Sequence, residues 1–316
     1  MYKTPAPPVG APAPRAADRA PDAPLDPGAD ALPLWLERVV HREFPAGSGR
    51  IDDAFSARHF TDVAGAYGRD YRPDLAPSGA GNTFAAMSRA LVESAGLDRE
   101  PVGVAIAAHA TPDLDCRYAA ATYLSEAWPH GPLSFGVSEQ GTAAPFAALR
   151  LAAAYVKRGG LRKALVLVLD QATLPYETGA GLGGDAGAAL LLSAQPVAGA
   201  ARPLVRHTPG VAVEDVRSLL AGQLAPFGPD VLVAAGPGID PGRDLPAGTG
   251  AVRETGKGFP CTALWAAHAA HAAHVAGPDA GRPLVLVDHD PVSGDLGVCV
   301  TGAVTGAVDG AGERPR

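Results

Sequence analysis

From residue 102 onward the chain alternates short, nearly all-apolar stretches with segments of helical periodicity, and it does so twice. The first run reads "VGVAIAAH", "CRYAAATYLSEAW", "PLSFGVS", "AAPFAALRLAAAYVKR", "KALVLVLD" and, after a glycine-rich loop, "AGAALLLSA". The second reads "PLVRH", "VEDVRSLLAGQL", "DVLVAAG", "CTALWAAHAAHAAHVAG", "RPLVLVDH" and "LGVCVTGAV". Strands without polar alternation must be covered on both faces, so each run predicts a sheet buried between helices. Both runs end on a pair of consecutive strands, which points to an internal duplication. The fold class is α/β.

The flanks are less regular. Residues 1–32 are dominated by Pro, Ala and Asp and predict a disordered lead, because such a composition buries too little apolar surface to offset the ordering entropy. The two halves are then expected at 33–196 and 197–306, with a disordered tail at 307–316. "LPLWLERVVHREF", residues 32–44, has apolar residues at helical spacing, and "GNTFAAMSRALVESAGLD", residues 81–98, predicts a helix capped by Asn82 or Thr83 and stopped near Gly96. The stretch between them receives no assigned element.

Composition removes several function classes. With 316 residues, 47% of them hydrophobic, the chain can bury a core in one large domain or two small ones. A net charge of −7 with scattered basic residues leaves no footprint for nucleic acid. The apolar strings fall well short of the roughly 20 residues that cross a bilayer, no apolar leader is evident at the N-terminus, and the three cysteines, Cys116, Cys261 and Cys299, lack metal-ligand spacing. A cytoplasmic protein without membrane, metal or nucleic-acid partner is expected. His268, His271 and His274 stand three apart on a helix, each step turning the face by about 60°, so they diverge from any one ion. "GAGLGGD", residues 179–185, precedes a strand and has no helix N-terminus to hold a pyrophosphate. No cofactor is expected.

Several stretches resemble a known family. "AAMSRALVESAGLDREPVGVAIAAHATPD", the turn "FGVSEQGTAAPFAAL", the strand "KALVLVLDQATL" and above all "GGDAGAALLLS" are similar to the corresponding segments of β-ketoacyl-acyl-carrier-protein synthase III, over residues 85 to 302. The resemblance implies a thiolase-like duplicated fold, layered α-β-α-β-α with mixed five-stranded sheets. It further implies a dimer, homodimeric or paired with an active ketosynthase, and acyl-coenzyme A or acyl-carrier-protein thioesters as substrates, with acyl carrier protein a possible partner. In that family a cysteine at the start of a buried helix accepts the acyl group, and a histidine and an asparagine from the second half assist.

This chain departs from the pattern at all three positions. The cysteine falls on Thr142, the histidine on Ala235 and the asparagine near Lys257. A helix dipole worth about 1 kcal/mol cannot ionise a threonine hydroxyl, so Thr142 needs a base. His289, flanked by Asp288 and Asp290 in a segment similar to the family's last loop, is the candidate, with Asp290 orienting it; the plainer alternative is a solvated loop histidine after a strand. Thr142 is likewise explained as a helix cap. His109 and Leu114 fall in a loop that in relatives approaches the partner subunit, and Cys261 reads as a small buried apolar residue. Two readings follow. In one the chain is a non-catalytic partner subunit that shapes an active ketosynthase's acyl tunnel in fatty-acyl, polyketide or other secondary metabolism. In the other it is an acyltransferase delivering an acyl group to an alcohol or amine through Thr142 or by direct attack assisted by His289.

Overall fold

The computed structural model describes residues 20–77, 81–128, 130–178, 181–273 and 281–302. In chain order the elements are β1 (Trp35–Phe44), α1 (Ala54–Ala66), α2 (Phe84–Ser94), β2 (Val102–His109), α3 (Ala120–Ala127), β3 (Leu133–Val137), α4 (Ala144–Gly159), β4 (Lys163–Asp170) and β5 (Asp185–Ser193). There follow β6 (Leu204–Thr208), α5 (Val216–Leu224), β7 (Leu232–Ala235), α6 (Pro241–Asp244), β8 (Ala251–Glu254), α7 (Ala263–Ala273), β9 (Leu284–Asp290) and β10 (Asp295–Thr301).

The strands form two five-stranded mixed sheets, ordered β1-β5-β4-β2-β3 and β6-β10-β9-β7-β8. In each, the strand pairs that flank a helical crossover run parallel (β2 with β3 and β4, β7 with β8 and β9), and the consecutive strands at the end of each run pair antiparallel. Strand periodicity of two then sorts the side chains by layer. Val104, Ile106 and Ala108 of β2 and Val166 and Val168 of β4 face one core with α4, α7 and the inner residues Leu232, Ala234, Leu284 and Leu286 of the second sheet. Ala105, Ala107, Leu165 and Leu167 face the opposite side, under α2 and α3. Val233, Ala235, Val285 and Val287 face α5. Helices α4 and α7 therefore lie between the sheets, and the layers run α-β-α-β-α, the thiolase-like arrangement.

Three expectations change. Residues 35–44 form a strand and not a helix: β1 pairs antiparallel with β5 from Trp35↔Ser193 to Phe44↔Asp185, with a register shift between Leu36 and Arg38. The free edge of β5 is satisfied only by a partner strand, and that demand overrides local helical spacing. The lead is ordered where it is described. Leu25, only 2% exposed, sits in the core under α5, its N–H donates to Gln223 O at 3.0 Å, and Arg206 pairs with Asp30, so the apolar anchor comes from residues near the lead's end. Residues 1–19 and the tail lie outside the described residues. Finally, the unassigned stretch contains α1, capped by Asp53, whose side chain accepts from the Phe55 and Ser56 N–H groups.

Among the described residues no helix is long and apolar enough to cross a membrane.

Candidate functional site

Strand β3 runs into the turn 138–143 and then α4, the layout expected for the turn at Gly141. Glu139 has φ of +61°, held by a 2.9 Å hydrogen bond from the Tyr67 hydroxyl to its Oε1. Gly141 follows with φ of +48°. A Cβ there would lie 1.5 Å from Asp290 Oδ2, so glycine is required both by conformation and by the closeness of that carboxylate. Asp290 Oδ2 accepts the Thr142 N–H at 3.2 Å. The same carboxylate ties down its own turn, with Oδ1 accepting from Val292 N at 2.8 Å and Ser293 N at 3.2 Å. The Thr142 hydroxyl oxygen is buried and makes no hydrogen bond. Thr142 is thus no helix cap; Asp290 supplies the negative group at the helix start instead.

Alternation along β9 decides the rest. Leu284 and Leu286 face the central helices, Val285 and Val287 face the outer layer, and continuing the period puts Asp288 and Asp290 inward and His289 outward. His289 Nε2 lies 2.9 Å from Val211 O; a carbonyl can only accept, so Nε2 carries the proton. The expected arrangement, His289 as base for Thr142 with Asp290 as its orienter, does not form, because His289 and Asp290 lie on opposite faces of one strand. Asp288 takes that place. It is 1% exposed, and its Oδ1 accepts from Gly238 N and His289 N, both at 2.9 Å. Its Oδ2 is unpartnered. Burial pushes the Asp288 carboxyl up to about 7, against the pull of the Gly238 and His289 N–H groups and the Thr142 side chain, while the Asp290 charge adds to the rise.

In the second half, Ala235 ends β7 facing the outer layer, and the inward residue is Gly236. A Cβ at Gly236 would lie 2.3 Å from Asp288 Cγ, so the Asp288 side chain fills the volume beside that strand end. Lys257 stands exposed in the turn before α7. It borders an open cleft of about 500 Å³ lined also by Gly238, Arg243 and Pro291, a lining that does not include the Gly141 turn. What the start of α7 brings there is Cys261, with Sγ 3.7 Å from Gly141 O. Asp170, at the end of β4, holds that helix start: its carboxylate accepts from the Cys261 and Thr262 N–H groups and the Thr262 hydroxyl. Burial raises Asp170 to about 6 against those bonds. Burial, then the charges of Asp170 and Asp288, push the Cys261 thiol well above its ordinary range. Cys261 is an unreactive buried thiol.

His109 ends β2 with its Nδ1 2.7 Å from Thr111 O and its ring 4.8 Å from the Phe84 ring; burial lowers its pKa. It is a satisfied strand-end histidine. Leu114, expected to reach toward a partner, is buried in its own chain against Gly49 and Gly81, its N–H donating to Gln171 Oε1. His268 is half-buried against Trp265, and desolvation lowers its pKa to about 4; His274 lies outside the described residues. Among the described residues no three His, Cys, Asp or Glu side chains converge as a metal site. Sequence reasoning passed over Gly236 and Asp170 and gave Asp288 only a flanking role. The alternating "DHD" at the end of an apolar strand was the available signal, since it places both acids on one face.

The site therefore gathers a helix N-terminus, a threonine hydroxyl, a protonated thiol and three inward-facing carboxyls, with neither a nucleophilic thiolate nor an imidazole. No family model and no curated protein sequence matches the chain. Solved structures do. AbyA1, a tetronic acid condensing enzyme, aligns at 16% identity and a TM-score of 0.55 over 85% of this chain and 100% of that chain. ChlB3, described as an acyltransferase, aligns at 16% identity and 0.51 over 85% and 97%. The 3-oxoacyl-[acyl-carrier-protein] synthase III of Aquifex aeolicus VF5 aligns at 12% identity and 0.54 over 85% and 100%. Similarity at this identity carries the fold and leaves the chemistry to the residues: the chain has the thiolase-like fold of the β-ketoacyl-acyl-carrier-protein synthase III-like proteins.

Proposed function

We propose that this chain is a non-catalytic, cytoplasmic partner subunit that pairs with an active ketosynthase and shapes its acyl tunnel in fatty-acyl, polyketide or related biosynthesis. One observation carries the reading: the Thr142 N–H, the donor that begins α4, is taken by the chain's own Asp290 carboxylate. Acyl transfer develops negative charge on a carbonyl oxygen, and the loss of one preorganised donor for that oxygen costs about 3–4 kcal/mol in comparable sites. Here the donor is occupied and a second inward carboxyl, Asp288, stands beside it. The Asp290 charge on that donor, in a dry site, disfavours the oxyanion further. Thr142 in place of a thiol, Ala235 and Gly236 with no imidazole at the end of β7 and a protonated Cys261 all point the same way.

The test is co-expression with a ketosynthase from the same organism that retains its cysteine, followed by native mass spectrometry and product analysis. A one-to-one hetero-oligomer together with an altered acyl-chain-length distribution supports the reading. A chain that associates only with itself and leaves the products unchanged overturns it.

A second reading rests on a separate observation. The unpartnered Asp288 Oδ2 and the unbonded Thr142 hydroxyl share one buried space, and a carboxyl poised at about 7 is matched to proton transfer at neutral pH. An acyltransferase acting from acyl-coenzyme A or an acyl carrier protein onto an alcohol or amine would use Thr142 as acceptor and Asp288, not His289, as base. ChlB3 is described as an acyltransferase. This reading requires an ester on Thr142.

A further inference from the structure

The turn joining β9 to β10 does more than connect two strands. Asp290 ends β9 with one carboxylate oxygen on the N–H groups of Val292 and Ser293 and the other on the Thr142 N–H, and its carbonyl accepts from Gly294 N at 2.8 Å. The side chain is thus fixed by its own turn before it meets α4. On the other side, Gly141 leaves a gap that any Cβ would close, to 1.5 Å from the carboxylate oxygen. Beside this contact lies Asp288, a side chain 1% exposed whose carboxyl has the Thr142 hydroxyl as its neighbour and feels its pull without a well-formed hydrogen bond between them. The start of α4 is therefore a site for negative charge whose Thr142 N–H is already used.

We propose that Asp290 is a built-in plug: its carboxylate stands in for the anion to which the Thr142 N–H would otherwise donate, and this contact, as well as the missing thiol, keeps the turn silent. The proposal rests on the non-catalytic reading and names what enforces it. A helix N-terminus favours a thiolate by its unsatisfied N–H groups and dipole. With the plug in place both are spent on Asp290, and a thiolate at position 142 would also meet its negative charge. With the plug removed, the same position becomes an ordinary activated helix start.

The experiment places a thiol at the turn and varies only the plug. Thr142→Cys, Thr142→Cys/Asp290→Gly and Thr142→Cys/Asp290→Asn are alkylated with iodoacetamide across pH 6–10 and followed by intact-protein mass spectrometry, with the unsubstituted chain fixing the background from Cys116, Cys261 and Cys299. Asp290→Asn keeps an oxygen for the Val292 and Ser293 N–H groups while removing the charge, so it separates the plug from loss of the turn; circular dichroism confirms folding. The expected result is alkylation of the introduced thiol about tenfold faster at pH 7 in both double variants than in the single one, with the pH midpoint lower by about one unit. Rates within twofold of one another in folded variants overturn the plug. The two readings fail separately. An acyl adduct on the unsubstituted chain sinks the non-catalytic reading, whereas an unmodified chain with equal thiol rates sinks the plug alone.

Discussion

Gly236 and Asp288 share one small volume, and that pairing shows how far single residues have remade this site. A methyl group at 236 would sit 2.3 Å from Asp288 Cγ, so Gly236→Ala should lower stability by about 1–3 kcal/mol, as overpacking does. Asp288→Ala in the same chain should recover much of that loss, and a double-mutant cycle by urea denaturation measures the coupling. The buried acids also predict a pH dependence. Burial raises Asp113 and Asp288 to about 7 and Asp170 to about 6, whereas in the unfolded chain such groups titrate near 3.9. Between about pH 4 and 7 the native state holds protons that the unfolded state has released, so stability falls as pH rises through this window and levels off above it, by up to about 1.4 kcal/mol per pH unit for each group. Melting temperatures from pH 4.5 to 8 should show that decline, and Asp288→Asn should flatten part of it; an unchanged slope would remove Asp288 from the explanation. At this scale the sequence placed Thr142 at a turn before a helix, because "FGVSEQGTAAPFAAL" is locally unambiguous. It named His289 as the base for Thr142 where the structure turns Asp288 and Asp290 inward and His289 outward, because the answer depends on the last residues of β9 staying in register, and a loop reading of the same letters sets no face.

Elements divide according to where their stabilisation comes from. The central strands and α2, α4 and α7 were legible, since unbroken apolar runs such as "KALVLVLD" have no alternative to burial on both faces. β1 was not, because Leu34, Leu36, Val39 and Val40 fit a helical face as well as a strand, and the choice is made by the distant β5. β8 escaped notice for a related reason: all four of its residues are exposed, so no hydrophobic signal marks it and only its pairing with β7 makes it a strand. The segment at residues 20–32 is a strap whose order rests on a few anchors outside its own composition. Leu25 is the main one, with the Arg206–Asp30 pair and the Gln223 Nε2–Pro21 O bond of 2.8 Å beside it. Leu25→Ala should therefore cost about 2–4 kcal/mol despite lying in a proline-rich lead. Limited proteolysis should detect faster cleavage before Leu32 in that variant, and unchanged cleavage would mean that the polar contacts alone hold the strap.

Across the whole molecule, the duplicated order of strands and helices predicted two sheets each covered on both faces, and the layering itself came from the resemblance to β-ketoacyl-acyl-carrier-protein synthase III; two such sheets sharing a middle layer bury every apolar strand at once. The two halves lock together through that middle layer: Phe146 of α4 packs so closely on β10 that a Cβ at Gly297 would lie 2.4 Å from its ring, and Trp265 of α7 packs near Phe146 with ring centroids 6.4 Å apart. The Gly141 turn sits where α4 enters this layer and meets β9 and the start of α7, so whatever chemistry the fold performs must be built from side chains of both halves. Here those side chains are carboxyls and a protonated thiol. On the non-catalytic reading this junction takes no acyl group, and intact-protein mass spectrometry of the unsubstituted chain after incubation with a panel of acyl-coenzyme A and acyl-carrier-protein thioesters tests it. An unchanged mass is expected in every case; an acyl adduct that disappears in Thr142→Ala would overturn the non-catalytic reading and make Thr142 and Asp288 an active pair.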